Sequence, residues 1–100
     1  MTYRLSPEAA SELEEIRRYS TERFDADTCD EYLRRLRHGF REIADRPDLG
    51  TPYGRHGLRS RLLTPDEREG HVAIYQIEAG GILILRVFHT RQNWQRKVRS

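Results

Sequence analysis

Arginine and histidine collect at the end of the most apolar segment of this 100-residue chain. From His71 to Arg91 it reads HVAIYQIEAGGILILRVFHTR, two β-rich runs joined at Ala79-Gly80-Gly81. Val, Ile, Tyr and Phe suit a pleated, half-buried surface, and paired glycines supply the positive φ of a tight reversal, so the segment is predicted to be a β-hairpin. Its second run carries Arg86, His89 and Arg91 to the far end. A guanidinium offers phosphates and carboxylates a planar fork of donors, and imidazole exchanges a proton near neutral pH. Such a rim can serve an anion or a partner.

In an unbroken strand Arg86 shares a face with Ile84 and Phe88, where a guanidinium must find an anion or lose its hydration uncompensated. It either clamps a phosphate or carboxylate of another molecule or forms an internal ion pair with a helix acid. His89 falls on the opposite face, so the two side chains converge only if the strand bends. A lone histidine at a strand end is more often a hydrogen-bonded structural group than a proton shuttle. His71 and His56 sit in no metal or triad spacing. Arg59 and Arg61 share one face of Leu58–Leu62, as part of a basic patch or as ordinary arginines that blunt an edge, the second being favoured. Trp94, among Gln92, Asn93, Gln95 and Arg96, reads as a tail anchor on the sheet, with an interface hot spot as the alternative. There is no Gly-rich phosphate loop, no paired carboxylates at a strand end and no nucleophile beside a base. No catalytic residue, metal ligand or cofactor is therefore expected.

Composition bounds what surrounds this rim. With 36% hydrophobic and 34% charged residues the chain fits one compact domain spanning 1–100. Cys29 is the only cysteine, so an intramolecular disulfide is impossible and a reducing cytosol is the simplest home. Neither an apolar signal core nor a membrane-length run is present, and a soluble, unprocessed protein is expected. Charge is divided: residues 1–48 hold twelve acids against nine basic side chains, net −3, and residues 49–100 hold four against nine, net +5. From Arg86 onward come Arg86, Arg91, Arg96, Lys97 and Arg99 with no acid, as an anion-seeking tail or a solvated C-terminus.

The elements that must position these residues are legible in part. Tyr3 to Leu5 is a short extended segment. Ser6-Pro7 then places a hydroxyl N-cap before a proline at the first helical position, and Ala9, Leu13 and Ile16 form one stripe of a helix running to about Arg23. Asp25 or Asp27 caps a second helix, in which Cys29, Leu33, Leu36, Phe40 and Ile43 alternate by four and three until Pro47 ends it. Gly39 inside it implies either a close approach of the first helix or a tolerated weakness. So short a connection makes an antiparallel helical hairpin, packed on one face of a small antiparallel sheet: an α+β fold. Pro47 to Gly57 reads as a surface loop, Leu58 to Leu62 as a strand and Thr64 to Gly70 as an exposed hairpin loop. The last strand is apolar on both faces, Ile82, Ile84 and Phe88 against Leu83, Leu85 and Val87, so a partner protein or the C-terminal tail must cover the face the helices leave open.

Taken in order, Tyr3-Arg4-Leu5-Ser6, Leu13 and Ile16, Pro47 and Gly50, Gly57-Leu58-Arg59, His71-Val72 and Tyr75, Ile84, Arg86-Val87 and His89-Thr90-Arg91 resemble the ParE toxins of bacterial toxin–antitoxin systems, within the RelE/ParE superfamily. The likeness spans nearly the whole chain. It implies the same α+β architecture and a toxin that poisons DNA gyrase by stabilising its cleavage complex, without being an enzyme, neutralised by a ParD-type antitoxin whose flexible segment folds along it. Target contacts would come from Arg59, Arg86, His89, Arg91 and Trp94, with no cofactor, no membrane partner and no sequence-specific nucleic-acid binding by the toxin alone. The alternative is a RelE-like mRNA endonuclease acting on the ribosome, with Arg59, Arg86 and His89 as transition-state and proton-transfer groups. The acidic first half and near absence of lysine weigh against docking into ribosomal RNA. A third reading is an inactive relative that keeps only the fold.

Overall fold

The computed structural model describes residues 2–54, 56–64, 69–92 and 94, so Arg96, Lys97 and Arg99 of the basic tail lie outside the described residues. The order is β1 (Thr2–Leu5), α1 (Pro7–Arg23), α2 (Ala26–Asp45), a 3-10 turn (Pro47–Leu49), β2 (Thr51–Tyr53), β3 (Leu58–Leu62), β4 (His71–Glu78) and β5 (Gly81–His89). Ser6 caps α1, its Oγ accepting from the Ala9 N–H at 3.0 Å, and Asp25 caps α2 by accepting from the Thr28 N–H at 2.7 Å. The chain leaves α1 at Phe24 in extended geometry, and only Asp25 separates that residue from α2. The five apolar residues of the α2 stripe, Cys29 through Ile43, are all buried.

Strands lie in the order β1-β5-β4-β3-β2. All neighbours are antiparallel except β1, which pairs in parallel with β5. The expected loop from Pro47 to Gly57 instead contains a helical turn and an edge strand. β2 is only three residues long and Pro52 sits at its centre, a position compatible with a strand only at a sheet edge, where a ladder donor is dispensable. The region from Thr64 to Gly70 is described only at Thr64, Glu69 and Gly70. Gly70 and Thr90 tie its end to the end of β5: the Thr90 N–H donates to the Gly70 carbonyl at 2.9 Å, and the Gly70 N–H donates to Thr90 Oγ1 at 3.0 Å.

Both helices cover one sheet face, and α1 also runs beside the edge of β5 beyond the four-residue β1. There side chains replace the missing strand. The Ser6 N–H donates to the Ile84 carbonyl at 2.9 Å, Ser6 Oγ donates to the Leu85 carbonyl at 2.7 Å, and Glu12 Oε1 accepts from the Val87 N–H at 2.8 Å. Gly39 makes its close approach to Leu63, just past β3, rather than to α1; a Cβ there would lie 2.8 Å from Leu63 Cδ2. At the β4–β5 turn only Gly80 has positive φ, 82°. Gly81 serves a different purpose, because a Cβ at that position would come within 2.0 Å of the Thr2 carbonyl oxygen.

An irregularity in β5 overturns the expected division of its faces. Tyr75 pairs with Ile84 but Ile74 pairs with Arg86, leaving Leu85 as an extra residue, a β-bulge. Ile82, Ile84 and Val87 consequently join the helix-side core with Leu36, Phe40, Ile43, Ala73 and Tyr75. Phe88 joins Tyr53, Leu58, Val72 and Ile74 in a second core on the other face, flanked by Leu85 and Trp94. Trp94, just beyond β5, thus covers part of the face the helices leave open.

Candidate functional site at the end of the last strand

Arg86 lies where α1 passes β5. Its Nε and Nη2 donate to Glu12 Oε2 at 3.0 and 2.8 Å, while Glu12 Oε1 holds the Val87 N–H. Glu12 is 17% exposed and Arg86 35%, so the pair is partly shielded from water. The hydrogen bond to Glu12 raises the Arg86 pKa above its ordinary value. The guanidinium also lies 4.5 Å from the Phe88 ring centre, over the second core. Of the two readings left open by sequence, the internal ion pair is the one formed. Glu8, Ser11, Glu15 and Gln92 extend the surroundings of the pair into an open cleft of about 500 Å³.

His89 faces the other way. It is the register partner of His71, their rings edge to face with centroids 5.1 Å apart, and Tyr32 of α2 closes the group with a hydrogen bond to His71 Nδ1. Burial first, and His89 second, push the His71 imidazole down to about 4, while burial lifts the Tyr32 phenol to about 12. Both are neutral at pH 7, and the arrangement that fits is Tyr32 O–H donating to an unprotonated Nδ1. His89 Nδ1 accepts from the Arg91 backbone N–H at 3.0 Å, and the His89 backbone N–H donates to Gln92 Oε1 at 2.7 Å, so the residue is tied into the turn that follows β5.

The remaining candidates are spread further. The Arg91 guanidinium pairs with Glu69 on the exposed surface. Trp94 stacks on Tyr53 at 5.9 Å and 21°, and the Tyr53 hydroxyl donates to the Trp94 carbonyl, which makes this tryptophan an anchor for the open face. Arg59 points to the helix side of β3 opposite Tyr75, its Nη1 donating to the Gly50 carbonyl at 2.7 Å. Arg86 and Trp94 therefore border one core, His89 and Arg91 share the turn after β5, and Arg59 stands apart across the sheet.

Glu12, and the meeting of Tyr32 with His71, escaped sequence reasoning. Glu12 carried a readable signal: it sits three residues after Ala9 and four before Ile16, on the flank of the buried stripe, where an acid needs a partner. Tyr32 and His71 carried none, because their meeting depends on how α2 packs over β4, and that of His71 with His89 on the β4–β5 register.

Residues 3–94 match the family profile described as ParE toxin of type II toxin-antitoxin system, parDE. The chain belongs to the ParE toxin family. Two curated ParE relatives, both called Toxin ParE1 and coming from Mycobacterium tuberculosis strains CDC 1551 / Oshkosh and ATCC 25618 / H37Rv, are each 30% identical over 97 residues, covering 96% of this chain and 96% of the relative. A solved structure titled "Chromosomal ParDE TA system from P. aeruginosa" superposes with a TM-score of 0.68 over 89% of this chain and 95% of its own, at 18% identity, and so shares the ParE fold. Within that fold, the ParE chain described here surrounds the end of its last strand with one partly buried ion pair, one half-buried histidine and one stacked tryptophan. Among the described residues no helix is long and apolar enough to cross a membrane, and no three His, Cys, Asp or Glu side chains converge as a metal site.

Proposed function

We propose that this ParE-family toxin acts by binding DNA gyrase and trapping its cleaved complex with DNA, and that a ParD-type antitoxin neutralises it. The observation that carries the choice of binding over chemistry is the regular pairing of β5 beyond the bulge at Leu85, which keeps Arg86 and His89, three residues apart, on opposite sides of the strand. Cleavage of an RNA phosphodiester needs a cation and a proton-transfer group converging on one phosphate. Here the cation is matched by Glu12 on one side and the imidazole is engaged by the following turn on the other. The target contacts assigned to this reading are Arg86, His89, Arg91 and Trp94 at the exit of β5, with Arg59 supporting from the helix side.

The deciding experiment adds the purified protein to gyrase with supercoiled plasmid and, separately, to translating ribosomes. Trapped double-strand breaks without codon-placed cuts in mRNA support the proposal. Catalytic release of RNA fragments with supercoiling untouched refutes it. Truncation after Thr90 is a poor probe of the basic tail, because it also removes Trp94 from Tyr53; truncation after Trp94 is the cleaner one, with loss of gyrase poisoning and retention of antitoxin binding as the expected result.

A further inference from the structure

Along the outer side of α2, Asp27, Asp30, Arg34, Arg37, Arg41 and Asp45 recur at steps of three or four residues, and all six are exposed. Such steps place side chains on one stripe, the spacing by which one helix reads another. Among the described residues no carboxylate lies within ion-pair distance of Arg34, Arg37 or Arg41. Arg34, Arg37 and Arg41 set like charges one turn apart, which opposes helix formation and offsets the helix-supporting spacing of Asp30 with Arg34 and of Arg41 with Asp45; the buried stripe on the opposite side holds α2 in place.

The charges are sorted along the axis: acidic, then basic, then acidic. The basic centre from Arg34 to Arg41 covers about 10 Å at the helical rise. A nucleic-acid duplex carries a charge every ~1.7 Å along a much longer path, and one laid on this helix would run onto Asp27 and Asp30 at one end and Asp45 at the other. A second copy of α2 fits no better. Antiparallel about its midpoint it sets Arg34 against Arg37, and parallel it sets each arginine against itself. A helix of the reverse pattern matches every position.

We propose that this stripe seats an α-helix of a partner protein, acidic through its two central turns and basic at both ends. The inference stands on α2 alone and holds whichever target the toxin poisons.

The test uses two labelled alanine-rich helical peptides of identical composition. One has three glutamates in the centre, spaced by three and four residues, and lysines at the ends; the other has the glutamates and lysines exchanged. Fluorescence anisotropy at low salt is expected to show the first binding about ten-fold or more tightly than the second. Substituting Arg34→Gln, Arg37→Gln and Arg41→Gln together should abolish that preference and leave the melting temperature of the free protein unchanged or higher. Equal affinity of the two peptides, no saturable binding of the first, a preference that survives the triple substitution, displacement by short duplex DNA, or unfolding of the triple variant would each overturn the proposal.

Discussion

His71 makes the stability of this protein depend on pH between about 4 and 6.5. Its imidazole titrates near the ordinary 6.5 when the chain is unfolded and at about 4 in the fold, where burial and the neighbouring His89 oppose its charge. Between those two values the unfolded chain binds more protons than the native one. The contribution of His71 is therefore fully present above about pH 6.5 and is lost as pH falls towards 4. At about 1.4 kcal/mol for each unit separating the two values, the whole effect is about 3 kcal/mol. Acidification from about pH 7 to about pH 4.5 should remove about 2 kcal/mol of it, or roughly 10 °C in melting temperature for a domain of this size. Denaturant titrations at several pH values, on the wild type and on His71→Gln, measure the effect. Taking the difference between wild type and variant removes the carboxylates, including the depressed Glu78 and Asp25, from the comparison. The variant retains a polar partner for Tyr32 and should show a much flatter dependence. Parallel loss of stability in both proteins would mean that the histidine titrates normally in the fold, and the reasoning from burial would fail.

Other perturbations test the joints of the fold. Glu12→Gln removes the charge opposite Arg86 and should cost about 1–2 kcal/mol in chemical denaturation, an intermediate value for a partly exposed pair. Gly81→Ala drives a Cβ into the Thr2 carbonyl and should cost about 3 kcal/mol, with early amide exchange along β1 as its signature. Ser6→Ala loses both the cap of α1 and the bond to the Leu85 carbonyl, for a drop of about 1–2 kcal/mol in unfolding free energy. Trp94→Ala should expose the Tyr53–Phe88 core and raise binding of an apolar dye before any change in helix content.

Most of the architecture was legible because local chemistry and the global fold agree. Ser6-Pro7 and Asp25 mark their helix starts, the Cys29-to-Ile43 rhythm sets the buried side of α2, and Ala79-Gly80 turns the hairpin. What escaped depends on distant pairing. β2 is too short to declare itself, and the parallel partnership of β1 with β5 joins segments at opposite ends of the sequence. Nothing in ILILRVFH announces that Leu85 is the extra residue, yet that residue decides which face Arg86, Val87, Phe88 and His89 occupy. An unbroken register would place His71 opposite Phe88, so the Tyr32–His71–His89 group could not be foreseen. Alternation correctly kept Arg86 and His89 apart, and the antiparallel hairpin of helices followed from the brevity of the link between them.

The strand order has a bearing on synthesis. Of the elements described, β5 is made after all the others, yet it sits between β1, made before them, and β4. Until it emerges, β1 has no ladder to join, and the helix-side core lacks Ile82, Ile84 and Val87. A nascent chain can coil its two helices early, since their contacts are local, but the sheet must wait for pairings that span most of the polypeptide. The fold can therefore close only after β5 has been made, and a copy that stops short of it carries the helices without the surface that this strand builds.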